Sequence, residues 1–210
     1  MSKAEKGTQV TFKARQFAAR EDAILDAANG LLARKGYDLM SLDDIASEVG
    51  IAKGSLYKHF PSKEALAAGA MTRLLLRTLA HARSLDDREP AARLRSLLRW
   101  CLQERLAGGV PYLPATSPSL MAGLLANEGY VTAINAMNEL LLGWIAQART
   151  QGALRPEVRD EVVLFTIYAR TCDPTLDFLR MASTLNDEGI VEAMLDTCFN
   201  GLAAASPAAA

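Results

Sequence analysis

The residues best suited to chemistry in this chain lie between Ile51 and Lys63. The stretch carries three lysines and one histidine but no acid, and it also holds serines and a tyrosine. Ammonium, hydroxyl and imidazole groups can donate hydrogen bonds to phosphate oxygens and to the edges of bases. On charge alone, a solvated basic surface is the better interpretation, so only a structural motif could favour nucleic-acid binding.

Other kinds of site find no support in the sequence. The three cysteines are far apart: Cys101, Cys172 and Cys198. With only two histidines to join them, no spacing typical of a zinc site arises. There is also no nucleophile elbow and no glycine-rich phosphate loop. We therefore expect no metal, no cofactor and no enzymatic activity.

The distribution of apolar residues bears on the compartment. Residues 1–20 contain no apolar run, so we expect no signal peptide. An odd number of cysteines in a chain of 210 residues argues against a disulfide framework. Residues 106–127 carry no charge, but prolines and glycines interrupt them, and such a segment could not satisfy its backbone in lipid. The sequence predicts a cytoplasmic protein without a membrane partner.

Helical spacing of apolar residues recurs along the chain, while period-2 alternation is absent, so we expect an all-α fold. A first helix should run from about Arg20 to Lys35, preceded by a basic arm over residues 1–19. That arm is either a disordered tail or a segment that tracks phosphates. The next two helices should be short, from Ser41 as N-cap to Val49, and from Lys53 to Phe60 before a proline.

The two short helices form a unit because Val49-Gly50-Ile51 separates them and the glycine permits a sharp turn. Apolar residues such as Ile45 and Leu56 would hold the helices together, which turns the polar side of the second helix outward. A helix of this size fits the major groove of DNA. We expect Lys53 and Ser55 to be best placed for bases. The candidate DNA-contacting residues are Ser41, Ala52, Lys53, Gly54, Ser55, Tyr57, Lys58, His59 and Lys63.

The motifs in this region closely resemble the TetR (tetracycline-repressor-like) family of bacterial regulators. They are Gly36-Tyr37, Ser41-Leu42-Asp43-Asp44-Ile45-Ala46, Val49-Gly50-Ile51, Lys53-Gly54-Ser55-Leu56-Tyr57-Lys58-His59-Phe60 and Ser62-Lys63-Glu64-Ala65-Leu66. The resemblance covers residues 20–66. It implies a fold of about nine helices, of which the first three bind DNA and the others bind an effector and the partner subunit. Most members are repressors released by a small ligand.

The predicted recognition helix has few side chains that can form hydrogen bonds with bases, because Ala52 and Gly54 allow little beyond a close approach. Much of the sequence recognition would then rest on Lys53, Ser55, Lys58 and the shape of the DNA.

The remaining helices carry no recognisable motif. We expect them over about 63–79, 90–106, 119–126 and 131–150, then from Pro156, with a kink or restart at Asp173-Pro174, and finally over 187–202. This pattern predicts an effector-binding and dimerisation domain over residues 67–204, after the helix-turn-helix domain at 20–66. Residues 205–210 should be a disordered tail.

An effector pocket is expected between the middle helices, where aromatic side chains and a few polar groups could hold a small hydrophobic molecule. The candidate residues are Trp100, Glu104, Met121, Tyr130, Trp144, Tyr168 and Arg170. Aromatic residues at helical spacing are also found in an ordinary core, which remains an alternative for each of them.

The last helices are apolar on more than one side, which favours packing against a second copy of the chain. The candidate interface residues are Val162, Phe165, Ala169, Ile190, Met194, Cys198 and Leu202. A purely intramolecular core is the alternative. A dimer with recognition helices about 34–36 Å apart would match a pseudo-palindromic operator in double-stranded DNA.

These expectations converge on a ligand-responsive homodimeric regulator that binds operator DNA, most simply a repressor released by a hydrophobic effector. The alternative is a helical small-molecule carrier or interaction protein without DNA binding, which would show no salt-dependent association with duplexes.

Overall fold

A computed structural model describes residues 11–85, 89–110 and 117–202 of the chain. These ranges contain ten helices and no strand, which confirms the all-α prediction. None of the helices within them is both long enough and apolar enough to cross a bilayer. The helices are α1 Phe12–Leu39, α2 Leu42–Val49, α3 Lys53–Leu56, α4 Lys63–Arg83, α5 Pro90–Leu106, α6 Pro118–Leu125, α7 Glu128–Thr150, α8 Asp160–Thr171, α9 Thr175–Ala182 and α10 Asp187–Asn200.

Helix α1 begins two turns earlier than the sequence predicted. The Thr11 hydroxyl accepts a hydrogen bond from the Ala14 backbone N–H at 3.3 Å, so Thr11 is the N-cap. Residues 12–19 are therefore helical, and the prediction of a flexible arm is wrong for them. They are rich in alanine, lysine, arginine and glutamine, which are good helix formers even without an apolar stripe. Residues 1–10 of the predicted arm lie outside the described residues.

The predicted restart at Asp173-Pro174 is confirmed, because α8 ends at Thr171 and α9 begins at Thr175. The restart divides the apolar segment in two and brings the described helices to ten instead of nine. Helix α8 begins at Asp160 and not near Pro156. The Arg149 side chain donates to the Pro156 carbonyl at 3.3 Å and to the Asp160 carboxylate, which holds the preceding residues in a turn.

The core around the N-terminal helices extends beyond the predicted domain boundary at residues 66 and 67. Buried side chains of α1 to α4, such as Ile24, Ile45 and Leu56, pack in one cluster with Leu120 and Leu124 of α6. Helix α6 therefore belongs to the core of the helix-turn-helix unit. A second core lies among α4, α5, α7 and α8, and a third joins α5 to α9 and α10.

Helix α10 packs differently from the prediction. Ile190 and Met194 are fully buried in their own subunit, in the cluster that contains Leu98, Leu102 and Leu176. The proposed interface role of these two side chains is therefore wrong. The sequence correctly identified α10 as a helix with an apolar side. That side, which includes Ile190 and Val191, packs against α5 and α9 of the same chain and not against a second copy. The tail predicted over residues 205–210 lies outside the described residues.

Candidate nucleic-acid interface

The turn between α2 and α3 is fixed by local hydrogen bonds at both ends of α2. The Ser41 hydroxyl accepts from the Asp44 N–H at 3.1 Å and caps the start of the helix. At the other end Gly50 has φ 72° and ψ 35°, a left-handed conformation that suits glycine. The Ile51 N–H donates to the Ala46 carbonyl at 2.9 Å, which completes a Schellman motif. This geometry sets the direction in which α3 leaves α2.

Helix α3 is short, and its two sides differ sharply. Leu56 is fully buried and locks α3 onto α1 and α2. The opposite side is exposed and is continued by a turn that reaches His59. Ser55 lies at intermediate exposure between the two sides. The exposed residues are Ala52, Lys53, Gly54, Tyr57 and Lys58. Their exposure is what a contact with DNA requires, and the contact itself stays a prediction.

Lys53 is held by an acidic residue of the preceding helix. Its ammonium donates to the Asp43 carboxylate at 2.8 Å. The hydrogen bond to Asp43, with the attraction between the two charges, raises the pKa of Lys53 above its ordinary value. Both side chains are half or more exposed. A phosphate or a base would therefore compete with Asp43 for this ammonium.

Lys63, at the start of α4, lies 4.4 Å above the centre of the Tyr37 ring and donates to the Asp38 carbonyl at 3.2 Å. The Tyr37 hydroxyl donates to Glu64 Oε1 at 3.0 Å. Burial, followed by the hydrogen bond to Glu64, raises the pKa of Tyr37 to about 12. These contacts fix the beginning of α4 against the end of α1, beside the exposed face of the helix-turn-helix.

His59 is not available to a ligand in this structure, contrary to its place among the predicted contacts. Its side chain is only 2% exposed, because the Phe17 ring stacks on it with centroids 3.9 Å apart. The Glu21 carboxylate lies 3.6 Å from its Nδ1. Phe17 lies in the segment that the sequence predicted as a flexible arm, so the covering contact was missed.

The helix-turn-helix can be compared with known proteins. Residues 24–70 match the family model described as "Bacterial regulatory proteins, tetR family". Through this segment the chain is similar to the tetR family. Among curated relatives, the biofilm operon icaADBC HTH-type negative transcriptional regulator IcaR of Staphylococcus aureus (strain Newman) is 52% identical over 46 residues. That match covers 22% of this chain and 25% of IcaR, so the chain spans only about a quarter of this relative's length.

Solved structures resemble this chain over most of its length. The fatty acid degradation regulator FadR from Bacillus halodurans has a TM-score of 0.67 at 17% identity, covering 87% of this chain and 96% of FadR. AibR, solved in complex with isovaleryl coenzyme A and operator DNA, has a TM-score of 0.61 at 24% identity, with 86% and 98% coverage. At these identities the likeness shows the fold alone.

Among the predicted effector residues, Tyr168 is partly buried and lies near Tyr130 and the buried Cys101. The Tyr168 hydroxyl donates to Asn138 Oδ1 at 2.7 Å. Burial, followed by interaction with Tyr130 and Cys101, raises the pKa of Tyr168 to about 12. Burial likewise raises the pKa of the Cys101 thiol to about 12 and raises that of Tyr130. Cys101 is buried, while Tyr130 and Tyr168 are partly exposed, so the group is only partly shielded from water.

Trp100 and Glu104 lie on the neighbouring surface between α4 and α5. The Trp100 ring stacks on His81 with centroids 4.6 Å apart, and Glu104 forms an ion pair with Arg77. Trp144 of α7 is buried, and the guanidinium of Arg93 on α5 lies 5.6 Å from its ring centre.

Two predicted effector residues lie apart from that group. Met121 is exposed on α6, and Arg170 pairs with Asp173 at 2.6 Å. The structure therefore brings together part of the predicted set and leaves these two outside it.

Several contacts that the sequence did not predict tie α6 and the preceding loop to the helix-turn-helix. Asn29 of α1 donates to the Gly109 carbonyl at 3.3 Å. Gly123 of α6 lies so close to α4 that a Cβ there would stand 2.6 Å from the Glu64 Cβ. Residues 111–116 of this connection, including Tyr112, lie outside the described residues. The small residue at 123 was the available signal of this close approach.

The predicted interface residues of α8 are exposed, unlike two of those on α10. Val162 and Ala169 are exposed, Phe165 is 65% exposed, and Leu202 after α10 is 91% exposed. Cys198 is partly buried. Together with Val162 and Leu202 it lines an open groove of about 590 Å³ between α8 and the end of α10.

Helix α9 adds exposed apolar residues that the sequence analysis did not include. They are Phe178, Met181 and Leu185. Phe178 and Met181, three residues apart, lie on one side of α9, and Leu185 follows the end of the helix. That spacing could have identified them.

Proposed function

We propose that this chain is a ligand-responsive transcriptional regulator that binds a pseudo-palindromic operator as a homodimer and acts as a repressor. The observation that carries the proposal is the α2–turn–α3 unit, in which Gly50 orients α3 so that Leu56 is buried while Lys53, Tyr57 and Lys58 are exposed. The tetR-family match covers this unit. IcaR, which shares the segment, is named as a negative regulator, and this supports repression over activation. The cytoplasm is the expected compartment.

In the proposed complex α3 enters the major groove, and Gly54 is central to that approach. A Cβ built on Gly54 would meet nothing within 4 Å, so the backbone there is open to the solvent. Lys53 would leave Asp43 to reach a base or a phosphate, and Ser55 would lie nearby. Tyr57, Lys58 and Lys63 would contact phosphates on either side. The N–H groups at the start of α2, beside Ser41, would donate to another phosphate.

The proposed dimer uses the exposed face of α8 and the residues that adjoin it. Val162 and Phe165 of α8 and Phe178 of α9 expose large apolar surfaces. A second copy would cover them and the groove that ends at Leu202. A two-fold axis would present two α3 helices to successive turns of the major groove.

The effector is proposed to bind next to Cys101, Tyr130 and Tyr168. Tyr130 contacts the core that contains Leu120 and Leu124, so a ligand beside it would displace α6. Because α6 shares a core with α1 and α4, its displacement would change the spacing of the two recognition helices. AibR was solved with isovaleryl coenzyme A, which makes acyl-coenzyme A thioesters the first class to test.

The DNA-binding proposal is tested by selection from a randomised library of duplexes with the purified full-length chain. We expect enrichment of an inverted repeat, with an affinity that falls steeply as salt is raised. The Lys53→Ala/Tyr57→Ala double variant should bind the selected duplex far more weakly at unchanged thermal stability. Enrichment of no sequence at low ionic strength would overturn the proposal and favour a ligand carrier.

The effector proposal is tested with short-, medium- and long-chain acyl-coenzyme A thioesters added to the complex of the chain and its selected duplex. A thioester that occupies the site should raise the thermal midpoint of the free chain and release the duplex at matching concentrations. Tyr168→Phe should weaken both effects. Stabilisation without release would contradict the proposed coupling through α6.

A further inference from the structure

The first two turns of α1, residues Phe12–Arg20, extend beyond the core of the helix-turn-helix. Every residue in this extension is exposed, and it carries Lys13, Arg15 and Arg20 but no acid. Helix α1 first contributes to the core at Ile24. An exposed basic helix therefore begins immediately beside the unit that is proposed to bind DNA.

The extension is held against the end of α3 by a ring stack. The Phe17 ring lies 3.9 Å from the His59 ring at an interplanar angle of 25°. The Nδ1 atom of His59 is buried and has no hydrogen-bond partner, so the aromatic stack accounts for the docking better than any hydrogen bond of the imidazole. His59 directly follows the exposed Tyr57 and Lys58. The extension and the recognition surface are therefore neighbours in space.

Helical geometry separates the three cations of the extension into two groups. At 3.6 residues per turn, residues four before and three after Phe17 lie on its side of the helix. These are Lys13 and Arg20. Arg15 is two residues from Phe17 and lies on the opposite side. In the part of the chain that the structure describes, Lys13 and Arg20 form no ion pair, so both remain available to an anion.

We propose that Phe12–Arg20 is a second DNA-contacting element, in which Lys13 and Arg20 contact phosphates that flank the α3 site and Phe17 positions them. The inference rests on the proposed function, because the polyanion in question is the duplex bound by α3. The same stack explains why His59 is covered. In this proposal the His59 side chain supports the extension and does not itself contact DNA.

The test uses the full-length chain and a fluorescent duplex that carries its selected repeat, with anisotropy titrations over a range of salt. Lys13→Ala/Arg20→Ala should bind on the order of tenfold more weakly. The slope of its log affinity against log salt should fall by the amount that corresponds to about two phosphate contacts per subunit. The single variants Lys13→Ala and Arg20→Ala should each lose about threefold, and Arg15→Ala is their matched control, since it removes one positive charge from the opposite side of the same helix. Its affinity should stay close to that of the wild type. Phe17→Ala should behave like the double variant at unchanged helix content.

Equal losses for Arg15→Ala and for the single variants Lys13→Ala and Arg20→Ala would overturn the inference, because they would reflect net charge alone. A double variant with wild-type affinity and salt slope would overturn it while leaving the proposed function intact. Wild-type behaviour of Phe17→Ala would overturn the positioning role. A wild-type chain that selects no duplex would overturn this inference together with the proposed function.

Discussion

The ammonium of Lys53 and the carboxylate of Asp43 lie 2.8 Å apart, joining the exposed face of α3 to the first turn of α2. The side chain predicted to be best placed to contact a base therefore already has a partner in the unbound chain. Asp43 also favours the start of α2, where the helix dipole is positive. Its carboxylate thus stabilises the free protein and opposes the proposed complex.

Asp43→Asn should raise the affinity for the selected duplex by roughly two- to fivefold, because Lys53 no longer has to leave an ion pair. Fluorescence anisotropy at fixed salt measures the change. Glu48→Gln is the matched control, because it removes one negative charge from the same helix but releases Arg34. An equal gain from both variants would mean that only the net charge matters.

Gly54→Ala should separate stability from binding. Alanine is favoured over glycine within a helix by about 0.5–1 kcal/mol, and nothing within 4 Å obstructs the new methyl group, so the thermal midpoint should rise by a few degrees. The same methyl would stand between α3 and the groove, so affinity should fall on the order of tenfold. Gly143→Ala on α7, where a Cβ also meets nothing within 4 Å, should raise the midpoint and leave binding unchanged. Unchanged binding by Gly54→Ala would contradict a close approach at α3.

Tyr37→Phe should remove the hydrogen bond to Glu64 and cost about 1 kcal/mol, which chemical denaturation can measure. The pKa of Tyr37 is raised from 10.0 to about 12. A raised pKa favours the protonated phenol in the folded state, so this contribution is complete below pH 10 and is lost as the pH rises towards about 12.

Tyrosinate absorbance during an alkaline titration checks the assignment. Tyr37→Phe should remove one of the phenols that titrate late, and Tyr168→Phe should remove another, since its pKa is also raised to about 12. A late phase that keeps its full amplitude in Tyr37→Phe would refute the assignment to Tyr37.

Phe165→Glu should dissociate the proposed dimer, because it places a charge in the middle of the apolar face of α8. Analytical ultracentrifugation should find a monomer that binds the selected duplex much more weakly. Leu76→Glu on α4 is the control: this leucine is also exposed but lies outside the proposed interface, and its variant should remain dimeric. If Phe165→Glu sediments as a dimer, another surface joins the subunits.

The parts of the molecule that the sequence predicted well are those determined by local interactions. The cap at Ser41 and the left-handed Gly50 act within a few residues, so the helix-turn-helix could be predicted from the sequence. The predicted end of its second helix at Phe60 is wrong, because α3 ends at Leu56 and a turn leads to Pro61. The restart at Asp173-Pro174 has the same local origin.

The errors arose where distant residues meet. A row of apolar residues such as Ile190 and Met194 must be covered by another apolar surface. The sequence pattern is the same whether a partner subunit or α5 of the same chain covers it. Likewise His59 has a polar side chain in a polar stretch, and only the distant Phe17 determines that it is covered. Local pattern does not encode which of several apolar surfaces will pair.

The shared packing of Leu120 and Leu124 with α1 to α4 bears on how this protein can be divided for engineering. A fragment cut at residue 66 would leave a leucine-sized hollow on the back of its recognition unit and expose that surface to water. A chimera that joins the proposed DNA-binding part to a foreign sensor should therefore carry α6 across the junction or replace its two leucines.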